Sequence, residues 1–295
     1  MSIKKKIIGL LSLATLALTV GCSSGESSEN TAAINNGEEV VVATSVAVTD
    51  ILDKLGVEVS GVPTTSYDLP ESTKGAIEVG NPMSPDLEII KALNPTCVVS
   101  VDTLGADYEK QFTENNIPSM FVNLSSVEGL KETVLTLGER FDKVEKANEI
   151  IAEFEAKEKE LSTSAEGNEE DVLVLFVAPG SSLDSPMACT DKSYVGNLVK
   201  IAGGNNIFAG ESSNYIQVNM EELIKINPDR ILIMAHGGGE ETKKTVDEGL
   251  AKATWQQIDA VKNNKVYHLD SEYFGMSANL KAVEALDMLG AILYE

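Results

Sequence analysis

At 295 residues the chain is long enough for two lobes of ordinary domain size, each burying its own core. Apolar residues make up 43%, which excludes a disordered chain. Acidic residues outnumber basic ones 46 to 23, and the net charge of −23 excludes nucleic acid as the main partner.

The chain opens with Lys4, Lys5 and Lys6, followed by an apolar run from Ile7 to Val20. A basic start and a core of that length read as an export signal, too short to span a bilayer. The run ends in Leu18-Thr19-Val20-Gly21-Cys22, which resembles the lipobox of bacterial lipoproteins, with Thr19 where a larger apolar residue is usual. That resemblance implies removal of residues 1–21 as a signal peptide and lipidation of Cys22, so that acyl chains hold the protein to a membrane surface. Residues 22–38 are then the lipidated Cys and a flexible tether of Ser, Glu, Asn, Ala and Gly.

Beyond the tether, short apolar runs alternate with helix-period segments. Glu39 to Ala43, Thr96 to Val101, Ser119 to Val122, Val172 to Ala178, Arg230 to Ala235 and Lys265 to Leu269 read as buried strands. The alternation predicts an α/β fold with largely parallel sheets. Between Ser126 and Leu161, Val127, Leu130, Val134, Leu137, Phe141 and Val144 recur at spacings of three and four with no Pro. They predict one continuous helix of about 35 residues, roughly 50 Å long. Residues 162–170 read as a loop. The expected division is an N-terminal lobe at 39–124, a connecting helix at 125–161 and a C-terminal lobe at 162–295. Cys97 and Cys189 show no paired spacing, and Cys97 reads as a buried small hydrophobe.

An internal echo supports two matched lobes. At an offset of 133 residues, Asn94-Pro95 aligns with Asn227-Pro228, Glu88 with Glu221, Leu87 with Met220 and Ile90 with Leu223. Each segment reads as an acidic helix stopped at Asn-Pro, then a β-branched strand.

The phrases Asp86-Leu87-Glu88-Ile89-Ile90-Lys91-Ala92-Leu93-Asn94-Pro95 and Met220-Glu221-Glu222-Leu223-Ile224-Lys225-Ile226-Asn227-Pro228-Asp229 carry a resemblance that covers essentially the whole mature chain. The chain resembles the binding proteins with a helical backbone between lobes that deliver iron-siderophores, cobalamin or haem to ABC permeases. The resemblance implies two Rossmann-like lobes joined by one long helix, with the ligand cleft between them. It also implies no enzymatic activity, a monomer, a permease with its ATPase as partner, and docking through one Glu per lobe, here Glu88 and Glu221. Within this family, Pro82-Met83-Ser84-Pro85-Asp86, Thr64-Thr65-Ser66-Tyr67, Ala235-His236-Gly237 and Tyr273-Phe274-Gly275-Met276-Ser277-Ala278-Asn279-Leu280 are similar to the haem-receptor lipoproteins of iron-regulated surface determinant systems. That likeness implies haem as cargo, surface proteins as haem donors, and Met83 and His236 as axial iron ligands. It also implicates the loops at Thr44-Ser45, Ser66-Tyr67 and Gly180-Ser181 in holding the propionates.

Residue chemistry bears on the same points. Ser84 as N-cap, Pro85 as first helical residue and Asp86 in the first turn would set Met83 just before a helix N-terminus. His236 ends a strand ahead of Gly237-Gly238-Gly239, a permissive loop without a helix-start signal. On residue type alone Met83 reads as an apolar plug, and His236 equally as an exposed loop residue or a site residue. A thioether and an imidazole suit haem iron, whereas zinc takes three or four His, Cys or carboxylate ligands and this chain has two histidines. His268 reads as structural, and would be the competing iron ligand if Met83 were not one. The alternative cargo is an iron-siderophore or cobalamin on the same fold.

Overall fold

The computed structural model describes residues 39–164, 170–237 and 239–294. The expected signal peptide, Cys22 and tether lie outside the described residues. The N-terminal part runs β1 (Val41–Ala43), α1 (Val46–Leu55), β2 (Gly61–Val62), β3 (Ile77–Glu78), β4 (Gly80–Asn81) and β5 (Ser84–Pro85). It continues through α2 (Leu87–Ala92), β6 (Cys97–Val101), α3 (Ala106–Glu114) and β7 (Ser119–Val122). Two helices follow, α4 (Val127–Arg140) and α5 (Val144–Ser164). The C-terminal part runs β8 (Asp171–Val177), β9 (Met187–Cys189), α6 (Tyr194–Ile201), β10 (Asn205–Asn206), β11 (Tyr215–Gln217) and α7 (Met220–Ile226). It ends with β12 (Arg230–Ala235), α8 (Gly239–Leu250), α9 (Asp259–Lys262), β13 (Val266–Leu269) and α10 (Ala282–Tyr294).

Each part builds one main sheet. The first has strand order β3-β2-β1-β6-β7 and is parallel throughout. The second has order β11-β9-β8-β12-β13, with β10 paired to β8 off this path. The run β8-β12-β13 is parallel, β9 lies antiparallel to β8, and β11 antiparallel to β9. The six apolar runs legible in the sequence are the central strands of these two sheets and their outer partners β7 and β13. The central four, β1, β6, β8 and β12, are buried on both faces and so need β-branched and aliphatic residues continuously rather than in alternation, whereas β7 and β13 are partly exposed.

The internal echo is structural. At the offset of 133 residues, Asp86 and Asn219 are the N-caps of α2 and α7, and Leu87 and Met220 their first residues. Cys97 and Arg230 then open β6 and β12. Asn94 and Asn227 both adopt the left-handed conformation, with φ of 51° and 53°. The helices therefore end on an Asn in a conformation that Asn tolerates better than most residues, and the Pro after it prevents resumption.

Two local expectations are corrected. The long helix is broken in two at Phe141-Asp142-Lys143. Asp142 takes φ of 56°, and the Lys143 N–H donates to the Gly138 carbonyl at 2.6 Å, closing α4 as a Schellman motif with Asp where Gly is usual. The helices then fold back on each other. Lys131 near the start of α4 pairs with Glu158 near the end of α5 at 2.9 Å. At the other end, a Cβ on Gly138 would lie 2.6 Å from that of Ala147, so only Gly permits the approach. The segment leading into the second lobe is thus α5, 21 residues and about 31 Å long, and it runs three residues into the expected loop at 162–170. The second correction concerns Ser84 and Pro85. They form β5, antiparallel to β4, and α2 starts only at Leu87, capped by the Asp86 carboxylate.

Gly37–Glu295 form one compact unit, and its largest apolar core spans both sheets. Val41 and Val99 enter it from the first sheet, Val174 and Leu232 from the second, and Leu137, Phe154 and Leu289 from α4, α5 and α10. Two hydrogen bonds join the same parts. The Val127 N–H at the start of α4 donates to Asn197 Oδ1 on α6 at 3.0 Å, and the Ala278 N–H donates to the Leu124 carbonyl at 2.7 Å.

Two stability predictions follow from these features. Replacing Asp142 by Gly relieves the left-handed backbone strain while keeping the helix stop. Asp142→Gly should stabilise the fold by about 0.5–1 kcal/mol, read from the urea midpoint at unchanged slope. On α1, burial pushes the Asp50 carboxyl from 3.8 up to about 6, with Asp53 adding to the rise and Lys281 opposing it. Between those values the folded chain binds more protons than the unfolded one, so this group's contribution to stability is lost as pH rises from about 4 to 6. Asp50→Asn should therefore raise Tm above that of the parent at pH 7, and the difference should shrink to nothing by about pH 4. A constant difference across that range would reject the titration of Asp50 as its cause.

Candidate ligand-binding site

In a doubly wound sheet, ligands gather beyond the strand C-termini where the strand order reverses. In the first sheet the reversal lies between β1 and β6, in the second between β8 and β12. Thr44 and Ser45 follow β1, Gly180 and Ser181 lie in the loop after β8, and His236 follows β12. Five of the sequence-predicted residues therefore sit at the two switch points.

The hydroxyls at the first switch point are engaged inside the fold. Thr44 Oγ1 donates to Ser100 Oγ at 2.9 Å, and Ser45 Oγ caps α1 by accepting the Val48 N–H at 3.3 Å. Directly after them α1 begins, whose leading N–H groups have no intrahelical acceptor and favour an anion. Asp102, the residue after β6, was not singled out by sequence reasoning. Burial pushes its carboxyl upward, against hydrogen bonding from backbone N–H groups including that of Thr103.

Met83 reaches the first lobe's rim by another route. Pro82 and Met83 form the turn between β4 and β5, and Met83 is 59% exposed. Asn81 Oδ1 accepts the Met83 N–H at 2.9 Å and so fixes the turn. Gly80 is required at its base: φ is +96°, and a Cβ there would lie 2.9 Å from the Asp86 nitrogen. The Thr64 N–H donates to the Gly80 carbonyl at 2.9 Å, which ties the hairpin to the segment leaving β2. That segment carries Ser66 and Tyr67, both exposed, with the Tyr67 N–H held by Thr65 Oγ1 at 3.0 Å.

His236 is exposed, and its N–H donates to the Val177 carbonyl at 2.8 Å, extending the β8–β12 ladder by one residue. Its ring stacks on Phe176 with centroids 6.3 Å apart and planes at 23°. Gly239 belongs to a helix and not to the expected loop, since α8 begins there with Glu240 and Glu241 in its first turn. Those two acids were the missed helix-start signal. Beside them lies a cleft of about 170 Å³ lined by Val177 to Ser181 with Glu241, Thr242 and Thr245. Gly180 sits there at φ of 80°, and the Ala178 N–H donates to Ser181 Oγ at 3.1 Å. His268 is committed elsewhere, with Nε2 3.0 Å from Asp247 Oδ1 on α8.

Glu88 and Glu221 occupy equivalent places. Each lies exposed in the first turn of its helix, with its N–H bonded to the capping side chain, Asp86 at 3.0 Å and Asn219 at 2.7 Å. Cys97 and Cys189 are free and buried, and burial pushes the Cys189 thiol up to about 12.

Comparison with known proteins agrees with this architecture. The family model described as periplasmic binding protein matches residues 41–273. The high-affinity heme uptake system protein IsdE of Staphylococcus aureus strain MRSA252 is 36% identical over 293 residues, 98% of each chain. The crystal structure of S. aureus IsdE complexed with heme superposes with a TM-score of 0.81 at 36% identity, covering 88% of this chain and all of that one. An ABC transporter substrate-binding protein from Listeria monocytogenes EGD-e gives a TM-score of 0.81 at 37% identity, covering 87% of this chain and 99% of that one. Similarity of this extent, on two switch-point sheets with exposed polar and thioether groups at their rims, assigns the chain to the periplasmic binding protein family, a family of binding proteins rather than enzymes.

Proposed function

We propose that this protein is the haem receptor of an ABC importer, tethered through lipidated Cys22 on the extracytoplasmic face of the cell membrane. It takes haem, in some cases from haem-donating surface proteins, between its two lobes and delivers it to the permease. Met83 and His236 are its axial iron ligands. The observation that carries this reading is the exposure of these two side chains on the rims of opposite lobes, in a chain 36% identical to IsdE over 98% of its length.

The chemistry fits haem better than a bare ion. The porphyrin supplies four nitrogens, so the protein need contribute only two axial groups. With both axial positions filled by protein, the iron keeps no open site for oxygen chemistry, as suits a carrier. The propionates meet the N–H groups at the start of α1, the Tyr67 hydroxyl and the loops at Ser66 and Gly180-Ser181. The lobes, taken as 39–124 and 162–295, hold the cargo without a wide hinge, because they share one apolar core.

Haemin titration of the full-length chain in detergent micelles tests the ligand pair. Saturation at one haem per chain with a low-spin, six-coordinate spectrum is expected. Met83→Ala and His236→Ala should each convert that spectrum and weaken binding by roughly tenfold or more, about 1.4 kcal/mol. No saturable change in the parent would direct the search to siderophores and cobalamin, and a spectrum unmoved by both variants would keep haem and reject the ligands. A second experiment addresses docking. Glu88→Lys or Glu221→Lys should lower receptor stimulation of the reconstituted permease's ATPase by roughly tenfold, with haem binding intact. Full stimulation by both charge reversals would remove these residues from the docking surface.

A further inference from the structure

Backbone geometry alone does not orient the His236 ring. One hydrogen bond, to the Val177 carbonyl, holds its N–H, and the chain beyond it turns through Gly237 at φ of 78°. An exposed imidazole has broad freedom about its terminal torsion. A metal ligand left in that state would pay the full entropy of ordering at each capture.

The sheet supplies the missing support. Phe176 on β8 lies opposite Met234 on β12 in register, and side chains alternate along a strand, so His236, two residues past Met234, falls on the face that carries Phe176. On the other side of β8, Phe176 is opposite Met187 and Cys189 is opposite Tyr215, which puts Tyr215 on the same face. The rings meet accordingly: Tyr215 is 5.0 Å from Phe176 with planes at 50°, and Phe176 is 6.3 Å from His236 with planes at 23°. Both distances lie within the range of favourable aromatic pairs. Phe176 and Tyr215 are half-buried and pack on the large core, so neither is free to follow the imidazole. The two ring planes are near-parallel, so the Phe176 ring limits how far the imidazole turns about its terminal torsion. Coordination uses a lone pair at the ring edge, in the ring plane, so the stack fixes that plane without blocking the bond.

We infer that Phe176 is a positioning residue that holds the His236 imidazole in the plane required for iron coordination, with Tyr215 as its backing. The inference rests on the reading of His236 as an axial ligand and deepens it. A simple core role would be met by any aliphatic of similar size, whereas positioning requires a flat ring.

The test loads the full-length chain with haemin in detergent micelles and compares it with Phe176→Leu, Phe176→Tyr, Tyr215→Leu and His236→Ala. Two quantities are read: the ferric low-spin electron paramagnetic resonance signal, and the rate of haem loss to an excess of a haem-acceptor protein. The parent should give one narrow set of g-values. Phe176→Leu should broaden or split that set and speed haem loss by roughly tenfold. Phe176→Tyr should restore both, and Tyr215→Leu should shift both in the same direction by less. Unchanged g-values and haem loss in a folded Phe176→Leu overturn the inference, provided His236→Ala changes the spectrum. A parent-like spectrum in His236→Ala instead removes the ligand reading and this inference with it. If Phe176→Leu does not fold, Tyr215→Leu decides, and parent-like behaviour in that variant overturns the stack.

Discussion

The structure depends on one continuous apolar core that both lobes share. In many two-lobed proteins each lobe buries its own core, and the lobes meet through a separate, more polar surface. Here each lobe keeps a smaller core of its own, yet Val41 and Val99 of one sheet and Val174 and Leu232 of the other belong to the same buried cluster, joined by α4, α5 and α10. Interiors packed at this density resist continuous deformation. Swinging one lobe away from the other would expose apolar surface, at about 25 cal/mol for each Å². The hairpin of α4 and α5 adds a second strut to what the sequence presents as a single rod. A receptor built this way holds its two rims at a nearly constant separation. Selectivity then falls to the side chains on those rims rather than to closure.

Those rims are unequal. At the first switch point the hydroxyls of Thr44 and Ser45 already have partners within the fold. Removing either from its partner would leave a buried polar group unsatisfied, and the Thr44 N–H is likewise engaged, by the Val99 carbonyl at 3.1 Å, so neither hydroxyl stands ready for a ligand. The outward-facing side chains of the first lobe, Met83, Ser66 and Tyr67, instead come from the hairpin after β3 and the segment after β2. At the second switch point the opposite holds: His236 stands directly on the strand end, stacked on residues of the sheet itself.

How much of this was legible in the sequence follows from the range of each interaction. The strands β1, β6, β8 and β12 were readable because a strand buried on both faces is largely apolar, as in Cys97 to Val99, and the partly exposed β7 and β13 because each is still a short, mostly apolar run. The matched Glu88 and Glu221 were readable because cap, helix and Asn-Pro stop are local features that recur at one offset. The two-residue strands β2 to β5 leave no such run, and Ser84-Pro85-Asp86 has the composition of a helix start. Only the pairing of Ser84 with Asn81 and of Pro85 with Gly80 makes it a strand. The break between α4 and α5 was hidden because Asp142 occupies the left-handed position where Gly would have announced the stop. The stack of His236, Phe176 and Tyr215 joins three strands, and no spacing in the sequence encodes it.

The difference between the rims has a consequence for release, on the proposed reading of Met83 and His236 as ligands and of Glu88 and Glu221 as the docking residues. A carrier must hold its cargo firmly and yet give it up at the permease. The imidazole, backed by two packed aromatic rings, is the fixed partner. The thioether, on the exposed tip of a two-residue turn, has the weaker support and is the bond to break first. Met83 is also the ligand nearest in sequence to a docking glutamate. The turn passes through Ser84 and Pro85 into the Asp86 cap, and Glu88 follows in the first turn of α2. A permease that pulls on Glu88 therefore acts within five residues of the iron bond, through a hairpin whose base is a glycine at φ of +96°. On the second lobe, Glu221 and His236 are separated by α7 and the whole of β12, a buried central strand of the sheet. Force applied at Glu221 is spread into that sheet. Equal docking on both lobes thus loosens one ligand and leaves the other in place, an order of events set by where each ligand is mounted.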